Sequence, residues 1–262
     1  MCPSTIESNL AKIYFPLTAN PVGYNHLMVA ENVLWQIPET QLLVFILSNG
    51  RHPDPFKPFQ IPHLSLRYEI LRSALLQWPD PEKSLPAKYA AEYGVELKLG
   101  SKNCTISRWE LSFSRPLRLV DHVHYFSTEE KISLIVGADL IQRMLDPRIF
   151  SDHDLALIES SCLMIAAQRD DIDLNLTLQL IKKKRGVELT VNQMNQDLLP
   201  KKLQNFYQIS STQIRKATQA GHSLETFLPV NASLYVSQNY YYKMGKQKTH
   251  SNILHLNEFE YS

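Results

Sequence analysis

The chain has 262 residues, 44% of them hydrophobic, and a formal net charge of +1. That length and content support one substantial core, and the near-neutral charge argues against a nucleic-acid binder. Cys2, Cys104 and Cys162 lack Cys-x-x-Cys or metal-ligand spacing, which points to reduced thiols, no zinc and a cytoplasmic protein. No signal-peptide pattern opens the chain and no apolar run nears the ~20 residues that span a bilayer, so no membrane partner is expected.

Apolar runs at 11–18 and 41–48 predict buried strands, and the amphipathic segment 25–37 between them predicts a helix, which together make a βαβ unit. The loop from Asn49 to Pro62 is rich in proline, glycine and charge, and a helix follows at 65–78 with Leu66, Ile70 and Leu71 among its apolar positions. A shorter helix is expected at 86–93, then a strand at 104–111, a helix at 117–126 and strands at 131–137 and 161–168. A helix at 173–184 and a short strand at 187–191 complete the alternation. Alternation of this kind predicts an α/β fold, a Rossmann-like parallel sheet with helices on both faces. A further helix opens at 209–215. Residues 1–243 read as one domain whose part from 191 to 243 is a small helical C-terminal subdomain, and 244–262 lacks periodicity and reads as a loosely held tail. The cations Lys182, Lys183, Lys184 and Arg185 end a helix, where they complement its dipole as a surface patch.

Three segments carry chemistry. Ile209-Ser210-Ser211-Thr212-Gln213-Ile214-Arg215 opens a helix with small hydroxyl residues and ends its first turn with a cation. Backbone N–H groups at a helix start meet anions, and an arginine one turn on can close over the same phosphate oxygens, although serine also caps helices that bind nothing. Far upstream, Phe15-Pro16-Leu17-Thr18-Ala19-Asn20-Pro21-Val22-Gly23-Tyr24-Asn25-His26-Leu27 runs from a strand through a turn into a helix. Between them, Leu134-Ile135-Val136-Gly137-Ala138-Asp139 ends a strand in Gly-x-Asp.

In this order the three segments resemble the nucleotidylyltransferase superfamily, in particular the nicotinate or nicotinamide mononucleotide adenylyltransferases. There the first strand ends in Gly-x-Phe-x-Pro-x-His-x-Gly-His, and a late Ile-Ser-Ser-Thr-x-Ile-Arg holds the triphosphate. The resemblance implies transfer of AMP from ATP, carried with Mg2+, to a phosphorylated acceptor, with release of pyrophosphate. It implies small-molecule nucleotide partners and leaves room for a homo-oligomer. His26 falls on the second histidine of the motif, where its ring would donate to the α- and β-phosphate oxygens, and Arg215 with Ser210 and Ser211 forms the clamp. Thr18 and Asn20 become loop contacts to phosphate, Gly137 and Asp139 contacts to a ribose or base edge, and Lys57 a loop lysine that approaches the substrate phosphate. Arg67 matches an arginine that often begins the helix after that loop.

The motif is incomplete. Its first histidine is Gly23, its glycine Asn25, its opening glycine Leu17 and its phenylalanine Ala19. Gly23 therefore marks a lost phosphate donor, which Asn25 or another side chain could replace, or a turn that uses a positive φ angle. A tryptophan that stacks on the acceptor ring in the family corresponds to Pro147, and Trp109 offers an aromatic face that a half-buried packing role would also explain. Two alternatives stay open: a homologue that binds nucleotide without turnover, and a cytidylyltransferase-like enzyme.

Overall fold

The computed structural model describes residues 10–48, 62–100, 102–113, 117–127, 130–167 and 172–239. Its centre is a sheet of six parallel strands, β1 (Lys12–Leu17), β2 (Leu42–Leu47), β3 (Cys104–Ile106), β4 (Ile132–Gly137), β5 (Cys162–Ala167) and β6 (Val191–Gln193), in the order β3-β2-β1-β4-β5-β6. The order reverses between β1 and β4, and a crevice opens at such a switch point beyond the carboxyl ends of the strands.

Helices cover both faces. On one lie α1 (Tyr24–Gln36), α2 (Leu64–Gln77) and α3 (Leu85–Glu92). With them pack α8 (Lys201–Gln204), which runs on as a 3-10 turn over Asn205–Gln208, α9 (Ser211–Gln219) and α10 (Val230–Gln238). On the other lie α4 (Leu119–Phe126), α5 (Ala138–Arg143), α6 (Asp152–Ser161) and α7 (Leu174–Arg185). Side chains alternate across the strands accordingly: Ile13, Phe15 and Leu17 of β1 and Leu43, Phe45 and Leu47 of β2 enter the first core, while Tyr14, Val44 and Ile46 enter the second. Burial on both faces explains why β1, β2, β4 and β5 are almost unbroken apolar runs.

Three expectations change. The strand expected at 104–111 is the short edge strand β3 followed by a 3-10 turn at Trp109–Ser112, because Glu110 turns inward and breaks the alternation. The strand expected at 187–191 lies at Val191–Gln193 instead, and Val187 and Leu189 before it are core residues. Arg185 departs from the expected surface patch: its guanidinium binds the carbonyls of Met144 and Phe150 and the carboxylate of Asp152, tying α7 to the segment ahead of α6.

Within the first layer a carboxylate is buried whole. Glu31 of α1 accepts from the indole N–H groups of Trp35 and Trp78, at 2.9 and 3.1 Å, and from the backbone N–H groups of Lys98 and Leu99. Burial raises its pKa and these four bonds act against the rise. Four donors and no acceptor suit the ionised form, which alone can receive them all. Burial likewise pushes the thiols of Cys104 and Cys162 up to about 11 and about 12, so neither is a nucleophile near neutral pH.

Candidate active site

The site grows from the loop that joins β1 to α1. Ala19 takes a left-handed backbone, φ 47°, a conformation costing a non-glycine residue about 1 kcal/mol or more that persists only where the surroundings impose it. The surroundings are three side chains that bind the loop's carbonyls. Arg67, fully buried in α2, donates from Nη1 to the carbonyl of Thr18, from Nη2 to that of Ser48 at 2.6 Å, and from Nε to that of Pro62 at 3.0 Å. One guanidinium thus ties the ends of β1 and β2 together.

The other two side chains come from the late motif. Ser211 donates its hydroxyl to the carbonyl of Pro21 at 2.9 Å across 190 positions of sequence, and Arg215 donates from Nη1 to the carbonyl of Asn20. A second arginine bond, from Nη2 to Thr212 Oγ1 at 2.9 Å, fixes the guanidinium plane. Ser210 caps α9. Its hydroxyl accepts from the N–H of Gln213, whose side chain accepts in return from the Ser210 backbone, a closed capping box.

At the start of α1, the N–H of Gly23 donates to Nδ1 of His26 at 3.1 Å. A neutral imidazole that accepts at Nδ1 carries its proton at Nε2, so this bond selects the tautomer that can donate from its outer nitrogen. The half-buried ring is thereby held by the turn it follows. Tyr24 ties the same turn to the α9–α10 connection, its N–H donating to the Phe227 carbonyl at 2.9 Å.

Gly23 itself has φ −137°, which any residue adopts, so the expected positive φ is not its reason. The reason is space. A Cβ there would stand 2.6 Å from Cδ1 of Ile214 and 2.9 Å from Oδ1 of Asn25. Asn25 is 1% exposed, and neither end of its amide has a hydrogen-bond partner; Oδ1 of buried Asn20 is likewise unpartnered.

On the neighbouring strand β4, Gly137 caps α5 and the carboxylate of Asp139 folds back over it, so close that any side chain at 137 would collide with Oδ1. Asp139 keeps nearly half its side chain exposed and has a loose ion pair with Arg143 at 3.9 Å. Thr18 and Asn20 therefore lie beyond the end of β1, Gly137 is the last residue of β4 with Asp139 just past it, and Arg215 and Ser211 reach the β1 loop. Lys57 lies outside the described residues. Trp109 stacks on Tyr125 with ring centroids 4.1 Å apart and meets Phe113, His122 and Phe126 edge-on, so its ring is used in packing. Among the described residues no group of three or more His, Cys, Asp or Glu side chains is placed to hold a metal ion, and no helix is long and apolar enough to cross a membrane.

Two features of the site have no signal in the sequence, the three-carbonyl grip of Arg67 and the Ile214 contact at Gly23, since both depend on segments that only the fold brings together. No protein-family model and no curated protein matches the sequence. Solved structures do match. Plasmodium falciparum nicotinic acid mononucleotide adenylyltransferase complexed with APC aligns at TM-score 0.56 and 16% identity over 88% of this chain and 96% of that one. The form complexed with NaAD aligns at TM-score 0.51 and 14% identity over the same shares. The chain shares their fold. At these identities the likeness is one of architecture.

Proposed function

We propose that the chain is a nucleotidylyltransferase that transfers AMP from ATP to a phosphorylated acceptor, nicotinate or nicotinamide mononucleotide first among them, and releases pyrophosphate. The observation that carries this reading is the junction of Ser211 and Arg215 with the carbonyls of Pro21 and Asn20, which joins two helix starts at the end of β1. Helix starts favour anions, and a guanidinium matches a phosphate's planar pair of oxygens.

Here the acceptor phosphate attacks the α-phosphorus in line, the bond to the bridging oxygen breaks, and pyrophosphate leaves. Such chemistry asks the protein for alignment and charge stabilisation and for no covalent intermediate. His26 donates from Nε2 to phosphate oxygens, Arg215 balances the charge that develops on the triphosphate, and Thr18 and Asn20 border the phosphates. Gly137 and Asp139 hold a ribose or base edge. Magnesium would come with ATP as part of the substrate, where its charge would help stabilise the triphosphate.

A second reading, nucleotide binding without turnover, is favoured by the position of Ile214, whose Cδ1 fills the space beside Gly23 where the motif's first histidine would start. Pyrophosphate release, assayed with ATP or CTP across a panel of phosphorylated acceptors, tests the proposal. Release with ATP and a pyridine mononucleotide supports transfer. ATP binding without release on any acceptor supports the second reading, and release only with CTP would replace both.

A further inference from the structure

Asn25 stands second in α1, withdrawn from water, with both ends of its amide unbonded. Buried amides are nearly always paired, because leaving water without a new partner costs more than most packing returns. A residue there for packing alone has cheaper forms, alanine or glycine among them. The amide also has a defined address: Oδ1 lies 2.9 Å from the point a Cβ on Gly23 would take, so the carboxamide occupies the root of the space that a side chain at 23 would use. Oxygen and nitrogen of an amide exchange places by a half-turn of its last torsion, so an N–H donor can stand at the same spot. A second orphan, Oδ1 of Asn20, sits on the loop that leads into this turn.

Resting on the nucleotidyl-transfer reading above, we infer that Asn25 supplies the phosphate donor absent at position 23: its carboxamide N–H bonds a triphosphate oxygen of the bound nucleotide, so the donor has moved two positions along the chain. The amide then pairs only when nucleotide is present. In the free protein it is a stored cost, which gives a signature that a packing role does not share.

The experiment compares wild type, Asn25→Ala, Asn25→Ser and Asn25→Asp by thermal melting with and without MgATP and by calorimetric titration with MgATP. Asn25→Ala is expected to melt no lower than wild type without nucleotide, to bind ATP roughly tenfold more weakly and to gain less melting temperature from it. Asn25→Ser, which keeps a donor, recovers part of the affinity, and Asn25→Asp, which brings a like charge toward phosphate, binds more weakly than Asn25→Ala. Wild-type ATP affinity in Asn25→Ala overturns the inference whatever its melting temperature. Should Asn25→Ala not fold, Asn25→Ser and Asn25→Asp binding ATP equally well overturns it instead. A wild-type protein that binds no ATP fails before any variant is made, and that result sinks the nucleotide reading itself.

Discussion

Ile214 and Gly23 occupy one another's space: the isoleucine Cδ1 stands 2.6 Å from the point a Cβ on Gly23 would take. The late motif therefore contributes an apolar wedge under the start of α1 as well as its hydroxyls and cation, and residue 23 is small because that wedge is there.

Enlarging residue 23 should strain this contact. Gly23→Ala is expected to cost about 1 to 3 kcal/mol through overpacking, and Gly23→His more. Ile214→Ala alone should cost about 2 to 5 kcal/mol, the range for emptying a buried aliphatic site. Together, Gly23→Ala and Ile214→Ala should cost less than their sum, since one methyl fills part of the hole the other leaves. Denaturant melts of the two single variants and the double variant measure the coupling. Strict additivity would mean that the glycine does not serve to admit Ile214. A histidine at 23 is likewise expected to raise pyrophosphate release only where Ile214 has been shortened.

Arg215→Ala should weaken ATP binding by about 1.5 to 3 kcal/mol, tenfold or more in Kd, the range for hydrogen bonds to charged groups. Arg215 also bonds the Asn20 carbonyl, so a modest fall in melting temperature should accompany the loss. Arg215→Lys keeps the charge but cannot hold Asn20 and Thr212 in one plane, and should fall between the two. Calorimetric titration separates them, and an Arg215→Ala protein with unchanged ATP affinity would reduce the motif to a helix cap.

Glu31→Gln tests the buried carboxylate. Glutamine offers one acceptor oxygen and turns an NH2 group toward N–H donors that now face an ionised oxygen, so at least about 2 kcal/mol of stability should be lost. Urea unfolding reads the effect directly. A variant as stable as wild type would mean that the acid is held protonated, since glutamine mimics that form.

Four central strands are legible because burial on both faces leaves a plain apolar run, as in Leu43 to Leu47. Edge strands of three residues are not: β3 and β6 carry too few positions for a period to emerge. Helix α6 did carry a signal, the Ser151-x-x-Asp154 capping box, in which each residue's side chain bonds the other's backbone N–H. Helix α10, short and entered by Pro229, carried little, because its apolar residues are spread round it, with Ala232 and Val236 buried and Leu234 and Tyr235 exposed. Site residues split in the same way. Ser211, Arg215 and Asn20 are visible as motif positions, whereas the bonds of Ser211 to Pro21 and of Arg215 to Asn20, and the grip of Arg67 on Thr18 and Ser48, arise where chain segments distant in sequence meet.

The last prediction concerns pH. Glu110 and His122 are both buried, with Oε1 of the acid 3.5 Å from Nδ1 of the ring, and the 3-10 turn and α4 that carry them enclose the pair beside Trp109. Burial lowers the His122 pKa from 6.5 to about 4 and raises that of Glu110, disfavouring the charged form of each. For His122 the unfolded chain binds the proton more readily. Its contribution is present above 6.5 and is lost as pH falls toward 4, a swing of about 3 kcal/mol at 1.36 kcal/mol per unit. Glu110 has the opposite sign: its folded pKa is raised, so its contribution is full below the unfolded value of 4.5 and is lost as pH rises through the folded one. Between 4.5 and 6.5 the two contributions change with pH in opposite directions and offset one another in wild type. Unfolding free energies measured from pH 4 to 8 should therefore fall as pH rises past 4.5 in His122→Asn, where only the Glu110 loss remains, and fall as pH drops below 6.5 in Glu110→Gln, where only the His122 loss remains. Variants that both keep the wild-type pH dependence would place these titrations outside the pair.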